Sequence, residues 1–222
     1  MKLDPGTIAG TALGLLDDGG VDALTMRKVA TALGVQAPAL YWHVKNKREL
    51  LDAMARALFV MAVDGVEAPR QGISWQDWLV ELAGRLRSTM LRYRDGARVL
   101  AGTHAGDEAM WRVTELTLRT LEDAGFALRE AGRVFPVLLN YTIGFVIEEQ
   151  AQSGVDYPDG NPYRSDEIAK EVDAERFPLT ARMVNDVFGA DPDVEFAHGL
   201  RTILAGINAE GPSPATGERP SD

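Results

Sequence analysis

Cysteine is absent from this chain, and histidine occurs only three times in 222 residues. The absence of thiols excludes disulfides, cysteine nucleophiles and thiolate metal sites, and it agrees with a reducing compartment. No stretch approaches the roughly 18 consecutive apolar residues that a membrane helix needs. The first five residues lack the charged-then-apolar order of a signal peptide. We therefore expect a cytoplasmic protein without membrane contact, cofactor or metal site.

Motifs of common catalytic sites are also missing. The sequence has no glycine-rich phosphate loop, no H-E-x-x-H and no G-x-S-x-G, and the histidines are not paired at ligand spacing. These absences disfavour an enzyme.

Positive charge is scarce overall but is concentrated near the N-terminus. The net charge is -10, yet residues 1–60 carry seven Lys and Arg against six Asp and Glu, whereas residues 61–222 carry sixteen against twenty-seven. The segment from Thr25 to Arg48 has five basic residues and no acidic one. This local charge is the relevant field for a partner that docks there, and it favours an anionic partner.

Apolar residues recur at helical spacing along most of the chain, without sustained alternation, which predicts an all-α fold. Asp4 and Pro5 begin a first helix that ends at Gly19 and Gly20. Thr25 caps a short second helix that ends at Gly34, and Pro38 fits the first turn of a third. Asn46 and Glu49 form a capping box at the start of a fourth.

The remaining pattern predicts a second, larger helical domain. Residues 64–73 read as a linker, and Ser74 with Asp77 caps the next helix. Further helices are expected at about 95–101, 107–123, 127–152, 179–188 and 192–208, with a loop at 154–166. We thus predict an N-terminal helical domain over 1–63, a larger helical domain over 74–208, and a disordered tail over 209–222.

Two short helices joined by a glycine turn and flanked by cations are the layout of a helix-turn-helix. In that motif the second helix presents side chains from its N-terminal part to base edges in the major groove. Lys47, next to the Asn46 cap, would place a cation beside helix N-terminal amides, and both groups bind phosphate. The predicted DNA-binding residues are Thr25, Arg27, Gln36, Ala37, Pro38, Ala39, Tyr41, Trp42, His43 and Lys47.

Other interpretations of these residues stay open at this point. Tyr41 and Trp42 could be core aromatics of a small three-helix domain, and His43 could be a solvated surface residue. Lys45, Lys47 and Arg48 could form a plain solvated face.

The stretch LTMRKVATALGVQAPALYWHVKNKRELLDA resembles the DNA-binding domain of the TetR family, and its tetracycline repressors share the string LYWHVKNK. The similarity continues through SWQDWL (74–79), YRDGARV (93–99) and GFVIEEQ (144–150) to about residue 208. The resemblance covers essentially the whole chain, and it implies that residues 1–63 form the DNA-binding domain and residues 74–208 the ligand-binding and dimerisation domain. It implies a repressor that binds a palindromic operator in double-stranded DNA and is released by a small-molecule inducer.

The resemblance also implies a homodimer, in which residues 127–152 and 192–208 of two subunits form a four-helix interface. Both segments carry more apolar surface than a single layer of helices could bury. These residues are Val134, Val137, Leu138, Tyr141, Phe145, Val146, Phe196, Leu200, Ile203 and Ile207.

The inducer pocket departs from the tetracycline repressors, which hold a magnesium-chelated drug with histidines and an asparagine. The matching positions here are Val63, Leu82 and Leu100, and leucine cannot ligate a metal. We therefore expect metal-tetracycline recognition to be lost and the ligand to be apolar or aromatic. The predicted ligand-binding residues are Val63, Leu82, Leu86, Leu100, Thr103, His104, Thr117, Phe135, Leu139 and Glu148.

Some of these assignments come with specific expectations. Leu86 replaces a phenylalanine of the pocket, Thr103 is kept, and His104 stands where the family has arginine. Glu148 matches the family's acidic residue that the partner subunit donates. Pocket wall and ordinary core are not separable from sequence for the leucines.

The reading helix departs from the tetracycline repressors as well. Ala37 and Ala39 stand where they carry glutamine and threonine, and a methyl group cannot bond adenine as an amide does, so a different operator is expected. An enzyme with an appended DNA-binding domain, an activator of the same fold and a non-specific architectural DNA binder are the alternatives.

Overall fold

The computed structural model describes residues 3–104, 106–157 and 159–210. Within these ranges the chain forms α-helices and no strand, so the all-α prediction is confirmed. None of the described helices is both long and apolar enough to cross a bilayer. The helices are α1 (Pro5–Gly14), α2 (Gly20–Ala23), α3 (Met26–Ala32), α4 (Ala37–Tyr41), α5 (Lys47–Val63), α6 (Trp75–Leu91), α7 (Gly96–Leu100), α8 (Glu108–Asp123), α9 (Leu128–Gln152), α10 (Ser165–Glu171), α11 (Pro178–Phe188) and α12 (Pro192–Glu210).

The first helix begins as predicted but ends earlier. The Asp4 side chain accepts a hydrogen bond from the Thr7 amide at 2.8 Å, and Pro5 opens α1. After Gly14 the chain tightens into a 3-10 turn, Leu16–Asp18, and then into α2, which the sequence analysis missed. The tighter turn keeps Leu16 buried while Leu15 is only half-buried. The expectation of one continuous helix up to Gly19 was wrong.

Helices α3 and α4 form the predicted helix-turn-helix. The Thr25 hydroxyl accepts a hydrogen bond from the Lys28 amide at 3.2 Å and so caps α3. Gly34 has a φ of 68°, the left-handed conformation that ends a helix sharply. Leu40 is fully buried and anchors α4 to the core.

Helix α5 connects the N-terminal head to the larger domain. Asn46 Oδ1 accepts a hydrogen bond from the Glu49 amide at 2.9 Å, as predicted. The Glu49 carboxylate accepts from the Lys45 amide, one residue before the cap, and so departs from the usual capping box. One face of α5 is buried against α1, α6, α7 and α8. Its core residues are Leu50, Met54, Ala55, Leu58, Phe59, Ala62 and Val63.

The larger domain is built around α9, which packs against α6, α7, α8 and α12. Ser74 caps α6 by accepting a hydrogen bond from the Asp77 amide at 3.0 Å. Helices α6 to α9, α11 and α12 lie where the sequence predicts them, to within a few residues. Helix α10 begins inside the predicted loop 154–166 and is an addition.

The structure bears on only some of the predicted domain limits. Segment 64–74, between α5 and α6, contains no helix, and the division into domains there stays a prediction. Helix α12 continues to Glu210, so the expected tail cannot begin at 209. The rest of that tail, residues 211–222, lies outside the described residues.

Much of the apolar stripe expected at the subunit interface is buried within the subunit itself. Val134, Leu138 and Val146 of α9 lie in the core, because α9 is covered by helices on several sides. Phe196 and Leu200 of α12 are buried in the same way. Val137 is 43% exposed and is available to a partner. The sequence analysis therefore overestimated the apolar surface left for the dimer.

Candidate DNA interface and ligand site

The reading head, residues 25–44, presents two aromatic side chains to solvent. Tyr41 is 46% exposed and Trp42 is 89% exposed. Leu40 of α4 already fills the inward position and is 0% exposed. The interpretation of Tyr41 and Trp42 as core aromatics is therefore wrong. An indole with this much free surface on an otherwise well-packed head is available for contact with a partner.

Most of the other predicted DNA-binding residues also have solvent-exposed side chains. Thr25, Arg27 and Gln36 are exposed, as are Pro38 and His43. Gln36 is the N-cap of α4, and its side chain makes no capping hydrogen bond, so its amide is free to meet a base edge. The two alanines that follow, Ala37 and Ala39, are half-buried.

Free positive charge on the head lies on α3. Within the described residues, the side chains of Arg27 and Lys28 have no ion-pair partner, and both are exposed. Lys28 was missed as a candidate, although its neighbour Arg27 was named. Lys45 instead faces Glu49, with 4.0 Å between Nζ and Oε1, and Arg48 pairs with Asp52 at 3.4 Å. These two cations are partly neutralised before any partner arrives.

Lys47 is half-buried and already engaged. Its Nζ donates a hydrogen bond to the carbonyl oxygen of Val21 at 2.8 Å. The amide of Val21 in turn donates to the Asp95 carboxylate, also at 2.8 Å. A phosphate at the N-terminus of α5 would therefore compete with the Val21 carbonyl for the Lys47 ammonium.

The predicted ligand residues do not share one cavity. Val63, Leu86 and Leu100 are 1%, 1% and 6% exposed and pack in the common core. Leu82 is also buried and borders a separate cavity of about 370 Å³ beside the 64–73 segment. All four of these side chains belong to the buried hydrophobic core.

A second group lines an apolar groove between α8 and α9, which we call the α8–α9 groove. Thr117, Phe135 and Leu139 meet there in a cavity of about 280 Å³. Thr117 donates its hydroxyl to the Val113 carbonyl at 2.8 Å, so it offers no free donor. The remaining lining residues are Met110, Trp111, Thr114, Leu118, Ala131, Gly132, Pro136 and Asn140.

Trp111 is the residue of this groove that sequence reasoning missed. It is 66% exposed although it belongs to a helix that packs on the core. The sequence does indicate this residue, because Trp111 is a bulky aromatic four positions after the cap residue Asp107 and lies outside the buried face of α8. A flat ligand could stack on this indole.

The last three predicted residues lie elsewhere. The Thr103 hydroxyl donates to the carbonyls of Val99 and Leu100 and so closes the end of α7. His104 is exposed, and its backbone amide donates to Asp52 at 3.2 Å. Glu148 is exposed and lines a cleft of about 620 Å³ bordered by α9, α11 and the start of α12.

Known proteins match this chain over nearly its whole length. The model of bacterial regulatory proteins of the tetR family matches residues 8–54, and the tetracyclin repressor-like C-terminal domain matches residues 68–210. This chain belongs to the TetR family. The tetracycline repressor protein class A from transposon 1721 of Escherichia coli is 40% identical over 95% of this chain and 97% of its own length.

Solved structures give the same result. A possible TetR family transcriptional regulator from Streptomyces coelicolor A3(2) has a TM-score of 0.82 and 36% identity over 93% of this chain and all of that one. The TetR family protein ActR of Streptomyces coelicolor, in complex with (S)-DNPA, has a TM-score of 0.78 and 27% identity. That match covers 95% of this chain and 99% of ActR.

As a member of the TetR family, the protein is a DNA-binding transcriptional repressor that acts as a homodimer. Helices α3 and α4 are its helix-turn-helix. The positions that the resemblance aligns with the metal-drug ligands, Val63, Leu82 and Leu100, carry no nitrogen or oxygen in their side chains and are buried. They do not fit a magnesium-chelated ligand.

Proposed function

We propose that this TetR-family repressor inserts α4 of each subunit into one half of a palindromic operator and is released by a small apolar or aromatic ligand. The observation that carries the DNA contact is the exposure of Trp42 at the end of α4, together with two exposed cations of α3 that have no ion-pair partner among the described residues. The N-terminal segment keeps its positive charge while the rest of the chain is acidic, and this contrast orients the head toward phosphate.

The α8–α9 groove is the proposed ligand site. Its walls are mainly apolar, it has an exposed indole, and the Thr117 hydroxyl is already bonded within its own helix. Such a groove favours a flat apolar molecule over a metal chelate. ActR, the relative that binds (S)-DNPA, supports a small organic ligand for this fold.

We further propose that binding alone carries the function, without catalysis, and that the protein acts in the cytoplasm. Family membership supports the first part, because the TetR relatives are regulators. To weaken operator binding a hundredfold, the ligand needs about 2.7 kcal/mol of preference for the released state, which lies within the usual range of allosteric coupling.

The test uses two substitutions that should separate the two sites. DNA binding is measured by fluorescence anisotropy of the fragment upstream of the protein's own gene. Ligand binding is measured with Nile red, an uncharged aromatic dye that brightens in apolar sites. Trp111→Ala should reduce dye affinity several-fold and leave operator affinity unchanged. Trp42→Ala should do the reverse.

The two halves of the proposal can fail separately. If Trp42→Ala leaves operator affinity unchanged, α4 is not the reading helix. If the unaltered protein binds no dye, or if Trp111→Ala binds it normally, the α8–α9 groove is not the ligand site. Titration with tetracycline and Mg²⁺ in a calorimeter should give no binding heat, and measurable binding there would contradict the apolar ligand class.

A further inference from the structure

The C-terminal end of α5 is held by side chains from two other helices. The last carbonyl groups of a helix have no partner within the helix, and they carry the negative end of its dipole. Beyond Val63 the chain turns through Gly65, which has a φ of 64°, so the helix cannot continue. Donors from outside α5 therefore decide how firmly this end is fixed.

Arg112 of α8 supplies two of these donors. Its Nη2 donates to the carbonyl oxygen of Val63 at 2.9 Å, and its Nη1 donates to the carbonyl oxygen of Val66. One planar guanidinium thus spans the last residue of α5 and the turn that follows it. Arg85 of α6 adds a hydrogen bond to the carbonyl oxygen of Asp64 at 2.6 Å.

Arg112 also lies next to the proposed ligand site. Met110 and Trp111, immediately before it, and Thr114, two residues after it, line the α8–α9 groove. These four residues occupy little more than one turn of α8, so the groove wall and the guanidinium belong to the same short stretch of helix. A molecule that displaces the groove side of this turn displaces the guanidinium as well.

We propose that Arg112 is a positioning residue that connects the α8–α9 groove to the DNA-binding heads. This inference rests on the proposed ligand site. Helix α5 has 17 residues and carries the reading head at its opposite end. It is about 25 Å long, so a tilt of about 5° at the Arg112 end moves the head by roughly 2 Å. In a homodimer both heads move, and their separation no longer fits successive major grooves.

The route through Arg112 does not depend on polar side chains in the core. Val63, the last residue of α5, is buried and has no polar group in its side chain, so it offers a ligand no side-chain hydrogen bond to α5. Arg112 contacts α5 through backbone carbonyls instead. The signal thereby reaches α5 from the neighbouring helix.

Arg119 provides a matched control on the same helix. Its Nε donates to the Glu115 carboxylate of α8 at 2.7 Å, and among the described residues none of its hydrogen bonds or ion pairs reaches α5. Arg112→Met and Arg119→Met remove the same charge and a similar number of atoms. Arg112→Lys keeps the charge, but a single ammonium cannot reproduce the planar two-nitrogen contact, and it serves as a second variant should Arg112→Met fold poorly.

The distance between the two heads is measured by double electron–electron resonance on the full-length homodimer. The chain has no cysteine, so Ala32→Cys places one spin label per subunit on the exposed surface of α3. The labelled parent should give one narrow distance distribution. Arg112→Met should broaden it and shift its centre by at least about 2 Å. Arg119→Met should match the parent, and Arg112→Lys should fall between.

Operator affinity with and without Nile red completes the test. Arg112→Met should bind the dye as the parent does, bind operator roughly five- to tenfold more weakly without dye, and show little further loss when dye is added. Equal head distances in Arg112→Met and Arg119→Met, or a normal dye response in Arg112→Met, would overturn the proposal. If the parent shows no dye response, the ligand site is wrong, and the head distances still decide whether Arg112 fixes α5.

Discussion

At the scale of single residues, two nearby side chains of the reading head differ sharply in their exposure to solvent. Leu40 is 0% exposed and Trp42 is 89% exposed, although they are two positions apart. Leu40 stabilises the head by packing in its core. Trp42 leaves its apolar surface in water when DNA is absent. We therefore expect Leu40 to contribute to stability and Trp42, two positions later, to contribute to DNA binding.

The first prediction concerns this separation. Leu40→Ala should lower the free energy of unfolding by about 2–5 kcal/mol, because it leaves a cavity in a closed core. Trp42→Ala should change it by less than about 0.5 kcal/mol, as is usual for exposed positions. Urea unfolding followed by circular dichroism checks both values. A large loss of stability in Trp42→Ala would show that the indole packs in solution.

The second prediction concerns Lys47. Its ammonium bonds to the Val21 carbonyl in the free protein and must transfer to a phosphate on DNA. Lys47→Gln should weaken operator binding at every sequence tested and reduce the slope of log affinity against log salt by about 0.9 per subunit. An unchanged slope would mean that Lys47 stays on Val21 in the complex.

At the scale of helices, the sequence predicts elements better than it predicts their ends. Caps such as Thr25 and Asn46 act locally, and the structure confirms both. The break after Gly14 depends on how Leu16 packs against distant residues, and no local pattern shows it. Helix α10 makes its contacts with α11 and has no buried residue, so it lacks the apolar stripe on which the prediction relied.

The candidate sites also differ in how well the sequence predicts them. The reading head could be identified because its function depends on a short contiguous segment. The ligand residues depend on which side chains from α8 and α9 face each other, and several aligned positions, including Leu86 and Leu100, turn out to be core. The spacing of Trp111 from the cap of α8 indicates an outward position, but only the facing residues of α9 make it part of a groove, and that pairing is a tertiary property.

The third prediction concerns the contact that joins α6, α9 and α12. Arg87 pairs with Glu149 at 2.6 Å and with Asp193 at 2.6 Å, and its guanidinium lies over the Phe196 ring, 5.1 Å from the centroid. The hydrogen bond to Glu149 raises the pKa of Arg87 above its usual value, so it stays charged at any physiological pH.

Arg87→Met should destabilise the protein by about 2 kcal/mol, because it leaves Glu149, whose side chain is only 16% exposed, without its cation. The cost stays below that of a fully buried pair because Asp193 is 79% exposed and returns to water. The double variant Arg87→Met/Glu149→Met should recover part of the loss. Equal losses in the single and double variants would contradict this account of the pair.

At the scale of the whole molecule, the basic reading head and the acidic body, residues 61–222, differ in charge and in the partners that we expect them to bind. The body carries the expected dimer interface and the proposed ligand groove, and its negative charge disfavours phosphate binding there. Two heads on one dimer bind together far more tightly than either alone, because the second contact becomes intramolecular. Dimerisation is therefore a condition for operator binding.

The fourth prediction follows from that condition. Val137 of α9 is 43% exposed in the isolated subunit and lies on the expected four-helix interface. Val137→Glu places a charge there and should shift the protein from dimer to monomer in sedimentation velocity, with operator affinity falling by at least tenfold. Glu122→Gln, at an exposed position near the end of α8, should leave both unchanged. A dimeric Val137→Glu protein would place the interface elsewhere.

The most direct test of the DNA contact replaces Tyr41, Trp42 and Lys47 together by alanine and measures binding to the upstream fragment by fluorescence anisotropy. The fold should persist, since Tyr41 and Trp42 are exposed and Lys47 bonds only to a backbone carbonyl. Specific binding should fall by at least a hundredfold, to the level of random-sequence DNA. Undiminished specific binding by the folded triple variant would contradict the assignment of α4 and the start of α5 as the DNA interface.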